Sequence, residues 1–275
     1  MTSTTLEERK KGLAEIIGAG FSSFLNGKKG LVLGMANENS IAYGCGLVFR
    51  LLGAELAVTY SHEKTERYVR PLAEEMGCPI IMPCDVTVPG QLEAVFERID
   101  ETWGKLDFAL HSIAFAPKED LHARVADSSR EGFLTAMDTS CHSFIRMARL
   151  CEPLMTDGGS LLTITYYGSE KVVEHYNVMG PVKAALESVV RYLAAELGPE
   201  RIRVNSISPG PIRTRAASGI DHFDDLVTRA ETVSPERHIV SIEEVGFLAA
   251  FLVSNRSRSI TGGLHFVDGG YHIMG

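Results

Sequence analysis

The stretch "GLVLGMANENSIAYGCGLVFRLLGAELAVTY", residues 30–60, decides how the chain folds. It opens on a short apolar run, "LVLGM", breaks at Gly34 into a polar loop, resumes with helical periodicity from Ile41 to Leu52 and closes on a second apolar run, "ELAVTY". Two strands joined through a helix are parallel neighbours, because a parallel pair needs a long crossover and a helix supplies it. Further along come "PIIMPCDV", "LDFALHSIA", "SLLTITY", "IRVNSISP" and "GLHFVDGG", separated by helical candidates at Lys64 to Met76, Pro89 to Trp103, Ser129 to Met155, Tyr176 to Leu197 and Ile242 to Ser254. The runs show little polar alternation, as strands covered on both faces do. The pattern predicts an α/β fold: a single doubly wound Rossmann-type domain, with a parallel sheet of about seven strands and helices on both faces.

A chain of 275 residues with 45% hydrophobic and 23% charged residues has the size and composition of one large globular domain. No repeat, low-complexity tract or change of composition divides it. Residues 1–26 form an N-terminal extension, expected to be helical because Leu6, Leu13, Ile16, Ile17, Phe21 and Phe24 recur at about helical spacing. Residues 27–275 form the main domain. Within it, residues 211–235 lack a strand and follow the sixth one; since ligands of such folds sit beyond the carboxyl ends of the strands, this segment is expected to be a lid.

A net charge of −8 argues against nucleic acid and against anionic membrane as partners, both of which select for concentrated Lys and Arg. No stretch is long and apolar enough for membrane insertion, and no export signal is evident. The five cysteines contain no CxxC pair, so reduced thiols in a cytoplasmic protein are expected rather than disulfides or a zinc knuckle. Neither HExxH nor a comparable spacing occurs, and no metal is expected.

The strand ends carry the chemistry. Gly34 leaves the first strand and Ser40 opens the following helix, so a pyrophosphate could meet unpaired N–H groups and a positive helix end. The spacing is not GxGxxG, and alone it fits an ordinary strand-to-helix turn equally well. In "CDV", Asp85 could accept from an adenine amino group and Val86 could touch the ring, or Asp85 could cap a turn. In "HSIAFAP" the small Ser112 and Ala114 leave room for a ribose and phosphate against the backbone. Together these ends favour a dinucleotide. The second strand ends "TYSHEK", where Ser61, His62, Glu63 and Lys64 give a mixed signal, since a lysine can meet a 2′-phosphate, but no arginine is present, and the balance favours NADH over NADPH.

The segment "TYYGSEKVVEHYNVMGPVKAALES", residues 165–188, places Tyr166, Tyr167 and Tyr176 ahead of Lys183. Tyr166 ends the fifth strand, where a side chain can reach the ligand site, and Tyr167 points to the opposite face if the strand continues. His175 is expected at the surface or as a cap.

The ordered set "GMANENSIAYG", "CDV", "HSIAFAP", "SREGF", "YNVMG" with "KAALE", "RVNSISPGPIRT", "AASGI" and "VDGG" resembles the bacterial NADH-dependent enoyl-acyl-carrier-protein reductases, the type I enoyl reductases of the divergent short-chain dehydrogenase/reductase superfamily. The resemblance runs from about Leu31 to Gly270. It implies reduction of a trans-2-enoyl thioester in type II fatty-acid synthesis, with the acyl group on acyl carrier protein or coenzyme A, by a homotetramer. It implies Gly34, Ser40 and Ile41 at the pyrophosphate, Asp85 and Val86 at adenine, Ser112, Ile113 and Ala114 along the cofactor groove, and Ile212 and Thr214 at the nicotinamide carboxamide and phosphates. Tyr176, Lys183 and Tyr166 match the catalytic residues, Lys183 also holding the cofactor. Ala114, Tyr166, Tyr176, Ala216, Ala217, Ile220 and Phe223 match the substrate pocket and its mobile segment. The chain departs from the pattern at Pro181, Pro209, Arg215 and the polar "DTSCHSF".

In ordinary members of the superfamily a tyrosine stands four residues before the lysine, and here that place is Met179, which has no proton to offer. Tyr176 stands seven residues before Lys183, two turns away if the segment is helical. In ketone reduction the oxygen sits on the carbon that receives hydride; in conjugate reduction it lies two carbons further. A displaced hydroxyl suits the displaced oxygen. Two alternatives stand beside this reading: a ketone or alcohol dehydrogenase, against which Met179 argues, and a catalytically silent dinucleotide-binding regulator, against which Tyr176 and Lys183 argue.

Overall fold

The computed structural model describes residues 11–13, 15, 23–214 and 217–274. Seven strands form one parallel sheet: β1 (Lys29–Leu33), β2 (Glu55–Tyr60), β3 (Ile80–Pro83), β4 (Phe108–His111), β5 (Gly159–Ile164), β6 (Ile202–Pro209) and β7 (Leu264–Val267). Their order is β3-β2-β1-β4-β5-β6-β7, and every neighbouring pair is parallel. The order reverses between β1 and β4, the point at which a doubly wound sheet opens a crevice above its strand ends.

Alternation along each strand feeds two cores. Leu31, Leu33, Ala57 and Ala109 face one side, where they meet α3 (Gln91–Trp103), α6 (Ser143–Cys151) and α7 (Met179–Leu197). Val32, Leu56, Val58, Phe108 and Leu110 face the other and pack on α1 (Ile41–Leu51), α2 (Glu63–Glu75) and α9 (Ile242–Val253). The central strands are thus largely apolar, with a few buried polar side chains such as His111, Thr163 and Asn205, because each face is covered. Prolines flank or end β3, which lies at an edge, and blunt it against further pairing.

The sequence runs Ser129 to Met155 as one helix, whereas the structure divides it. α5 (Arg130–Met137) passes through a π-helical turn, Asp138–His142, before α6, and a short 3₁₀ turn follows at Glu152–Leu154. The extra residue in that turn buries Thr139, Ser140 and Cys141. Ser140 Oγ accepts from the amide of Phe115 and donates to its carbonyl, at 2.9 and 3.0 Å, so the polar "DTSCH" is a brace to the loop after β4.

A second difference concerns the helix carrying Lys183. The helical reading begins it at Tyr176, but α7 starts at Met179. His175 and Asn177 hold φ of 64 and 42°, left-handed conformations that cannot continue a helix, and Asn177 Nδ2 donates to the Leu121 carbonyl at 2.7 Å. Tyr176 therefore sits in a turn ahead of the helix rather than two turns up its face. Pro181 falls in the first turn of α7, where its missing N–H leaves nothing unpaired.

The sequence leaves 211–235 without regular structure; the described part contains a 3₁₀ turn, Ala217–Gly219, and α8 (Phe223–Val233). A short helix, α4 (Lys118–His122), also appears after β4. Of the N-terminal extension, residues 11–13 and 15 are helical and residues 23–26 form turns where helix is expected; residues 1–10, 14 and 16–22 lie outside the described residues. Among the described residues no helix is long and apolar enough to cross a membrane.

Candidate active site

The β1 exit makes the floor of the crevice. Gly34 has φ +99°, and a Cβ there would lie 2.6 Å from the Ser112 carbonyl oxygen, so only glycine lets the turn after β1 close against the turn after β4. Ser40 then caps α1: its hydroxyl accepts from the Tyr43 amide at 3.3 Å and donates to the Asn37 carbonyl at 2.7 Å. The capped helix end points its dipole at the crevice beside Ile41.

Above this floor lies a cleft of about 840 Å³. It runs from Ser61, His62 and Thr65 at the β2 end, past Ala36 and Ile41, to Tyr166, Tyr176 and Lys183 beyond β5. Ala114, Ile212 and Thr214 line it, and Ala217, Ile220 and Phe223 bring the lid onto it. That span crosses the reversal of strand order and suits an extended dinucleotide with a second ligand at its far end.

Other expected residues lie around the strand ends without lining the cleft. Asp85 Oδ1 accepts from the Thr87 amide and hydroxyl at 2.9 and 2.6 Å, the turn-capping arrangement. Val86 is buried, and its carbonyl accepts from Arg146 at 2.7 Å. Ser112 pairs its amide with the Leu33 carbonyl at 3.0 Å, and Ile113 packs beside Gly34. Ala216 and Arg215 lie outside the described residues.

Lys183 is 4% exposed, and its Nζ donates to the Ile164 carbonyl at 2.8 Å. An ammonium carries three donors, so two remain for a ligand in the cleft. Burial pulls its pKa down to about 8, against the opposing charges of Cys141 and Glu187. Tyr166 and Tyr176 meet edge to face, ring centroids 4.9 Å apart. Burial pushes both hydroxyls well above the usual range, in Tyr176 with help from Tyr166 and Glu187, so each keeps its proton and can donate it in a hydrogen bond. Met179 lines the same cleft one turn before Lys183. Tyr167 instead packs against Tyr271 with ring centroids 5.8 Å apart; β5 has ended at Ile164 and Tyr167 opens a 3₁₀ turn, Tyr167–Ser169, so it is this turn rather than strand alternation that directs it away from the cleft.

A serine and a histidine also lie close together beneath the site. His111 Nε2 is 2.7 Å from Ser143 Oγ, and His111 Nδ1 is 3.1 Å from Thr163 Oγ1. Ser143 spends its proton on the Thr139 carbonyl at 2.6 Å, so Nε2 donates and Nδ1 accepts from Thr163. All three side chains are fully buried, and burial followed by the Lys183 charge holds His111 down to about 3. This is a neutral brace between β4, β5 and the π-helical turn.

The lid is tied to the opposite wall by residues the sequence reading does not single out. His122 of α4 places Nε2 2.9 Å from the Gly219 carbonyl and Nδ1 3.3 Å from Asp221. His175, ahead of Tyr176, stacks on His222 with ring centroids 4.8 Å apart, and Arg213 pairs with Asp224. Phe115, Lys118 and Leu121 complete this wall. A histidine in the polar string "DLHARV" carries no signal that it will face a lid nearly a hundred residues away; only the fold brings them together.

The chain was compared with known proteins. The family model for enoyl-(acyl carrier protein) reductase matches residues 34–272. A Rhizobium meliloti enoyl-[acyl-carrier-protein] reductase [NADH] is 48% identical over 92% of this chain and 93% of its own. The Aquifex aeolicus enoyl-[acyl-carrier-protein] reductase [NADH] is 47% identical over 91% of this chain and 93% of its own. Among solved structures, the Anaplasma phagocytophilum enoyl-(acyl-carrier-protein) reductase in complex with NAD superposes with a TM-score of 0.89 at 46% identity, covering 92% of this chain and 97% of that one.

Proposed function

Because the chain belongs to the enoyl-(acyl carrier protein) reductase family, we propose that its cleft reduces the double bond of a trans-2-enoyl thioester with Tyr176 as the donor to the thioester oxygen and Lys183 as the anchor of the cofactor. The protein is an NADH-dependent oxidoreductase of fatty-acid synthesis. The observation that carries the residue assignment is the meeting of Tyr166, Tyr176 and Lys183 in one cleft while Met179, without a donor, fills the place one turn before the lysine.

Bound NADH supplies the hydride to the β-carbon of the double bond. What the chain supplies is geometry and charge. The N-terminal end of α1, behind Gly34 and Ser40, would hold the pyrophosphate, and the small Ala114 would leave room along the groove. The free donors of the Lys183 ammonium hold ribose hydroxyls. As negative charge develops on the thioester oxygen, the Tyr176 hydroxyl stabilises it from a fixed position in a site that the lid and Tyr166 shield from water. Tyr166 shapes that pocket beside Tyr176 and would assist protonation of the α-carbon. Ser61, His62 and Thr65 close the adenosine end, with no arginine among the lining residues to meet a 2′-phosphate.

Acyl carrier protein is the carrier this reading favours over coenzyme A, and a cytoplasmic homotetramer is the form it favours; the relatives' names support the first, and the family pattern the second. The test follows oxidation of NADH and of NADPH with 2-enoyl thioesters on each carrier, beside a 3-oxoacyl thioester. NADH and the enoyl substrate are expected to give the high rate. Reduction of the ketone alone would hand the site to the dehydrogenase alternative, and normal NADH binding with no turnover of either to the silent regulator.

The lid contacts make a further prediction. His122→Ala removes both bonds that hold residues 219 and 221 against α4. At this solvent-exposed edge such contacts contribute about 0.5 kcal/mol each, about 1 kcal/mol together, so the KM for the enoyl thioester is expected to rise roughly fivefold with NADH affinity unchanged. Steady-state kinetics at varied acyl substrate check it; an equal rise in the KM for NADH would place His122 elsewhere in the mechanism.

A further inference from the structure

One carboxylate beneath the site has no part in the chemistry above. Glu187 is 7% exposed, one helical turn after Lys183 on α7, and it does not line the cleft. Its Oε1 accepts from the Thr165 hydroxyl at 2.5 Å. Lys183 Nζ holds the carbonyl of the preceding residue, Ile164, at 2.8 Å. Two side chains a turn apart thus grip two consecutive residues at the β5 exit, and the next residue is Tyr166, whose extended backbone carries it into the cleft. A buried carboxylate costs several kcal/mol unless it is paired or hydrogen-bonded, so its burial here calls for a role.

We propose that Glu187 is a positioning residue for the reductase site: through Thr165 it fixes the strand end that anchors Lys183 and aims Tyr166, and its carboxylate is the buried counter-charge of the Lys183 ammonium. The proposal rests on the reading of Lys183 as the cofactor anchor. Among the described residues, the titratable groups that face the ammonium are Glu187 from α7, Cys141 from the π-helical turn and His111 from β4. Burial pushes the Cys141 thiol up and holds His111 down to about 3, so both are neutral near pH 7. Burial also raises the Glu187 carboxyl, with the Glu170 charge acting in the same direction, and the Ser169 and Thr165 hydroxyls and the Lys183 charge oppose that rise. Of these groups Glu187, one helical turn from the lysine and held by Thr165, is the one whose ionised form would offset the cost of burying the ammonium.

The test is Glu187→Gln in the full chain, which keeps an acceptor for Thr165 and removes the charge. NADH affinity is expected to fall about fivefold, and the alkaline limb of the kcat/KM profile to move down by about half a pH unit, since loss of a neighbouring negative charge eases deprotonation of Lys183. Glu187→Asp, which restores the charge, is expected to bring the limb back toward the wild-type position. Thr165→Val breaks the grip and leaves the charge; it is expected to lower kcat several-fold with the limb in place. Wild-type behaviour of Glu187→Gln, or of Thr165→Val should the first variant not fold, overturns the proposal. Lys183→Met, measured in parallel, separates this failure from that of the underlying reading: NADH binding unaffected by loss of the lysine would remove the anchor itself.

Discussion

Tyr176→Phe is expected to lower kcat for the enoyl thioester about a hundredfold while leaving NADH affinity and the melting temperature near their wild-type values. The size follows from the loss of one preorganised donor to a developing oxyanion, which typically costs about 10²- to 10³-fold. The ring is retained, so its edge-to-face contact with Tyr166 and the packing of a side chain only 7% exposed are undisturbed. What disappears is a hydroxyl that burial keeps protonated. Stopped-flow measurement of hydride transfer, with NADH binding followed by fluorescence, separates the two effects. Tyr166→Phe provides the contrast: the same ring pair is kept, and the rate is expected to fall less, because the proposed oxyanion donor, Tyr176, is retained. A Tyr176→Phe enzyme with wild-type hydride transfer would remove this hydroxyl from the mechanism.

Lys183→Met is expected to weaken NADH binding by about a hundredfold, because a charge-assisted hydrogen bond contributes roughly 1.5–3 kcal/mol and the ammonium offers two free donors to the cleft. The fold should survive. Methionine matches the lysine stem in length, but it leaves the Ile164 carbonyl and the buried Glu187 carboxylate without their partner, so the melting temperature is expected to fall by a few degrees. The pH dependence has a definite sign. Burial lowers the Lys183 pKa to about 8, so the ammonium needed for binding is present below that pH and is lost as pH rises through it. In the wild type, kcat/KM at limiting NADH is expected to fall on the alkaline side near pH 8, and Lys183→Met should lack that limb. Titration calorimetry across the same range checks both statements.

The parallel sheet of about seven strands is legible in the sequence because the strands are covered on both faces, so each reads as a nearly continuous apolar run set between longer periodic segments. Gly34 is legible for a related reason: it ends such a run, and the structure shows the neighbouring carbonyl that forbids a side chain there. The meeting of Tyr166, Tyr176 and Lys183 is legible from their places at a strand end and near one helix. The route by which Tyr176 gets there is not. Helical spacing carries it up the face of α7, whereas left-handed residues on either side place it in a turn, and φ values of that kind at His175 and Asn177 leave little mark on composition. The π-helical turn is hidden because a polar "DTSCH" reads as helix surface until its brace to Phe115 is seen. His122 and Glu187 depend on tertiary contacts with segments distant in sequence, and nothing in their local strings distinguishes them from surface residues. Asp85, whose carboxylate could read as adenine acceptor or turn cap, is found capping its turn.

The central claim is that the donor has moved from the position of Met179 to Tyr176 to meet an oxygen two carbons beyond the site of hydride attack. A crystal structure of the chain with NAD⁺ and a 2-enoyl thioester measures this directly. The account predicts Tyr176 Oη about 2.6–3.2 Å from the thioester carbonyl oxygen, with the nicotinamide over the β-carbon and Lys183 on the ribose hydroxyls. A complex in which Tyr176 turns away and another group holds that oxygen would contradict it.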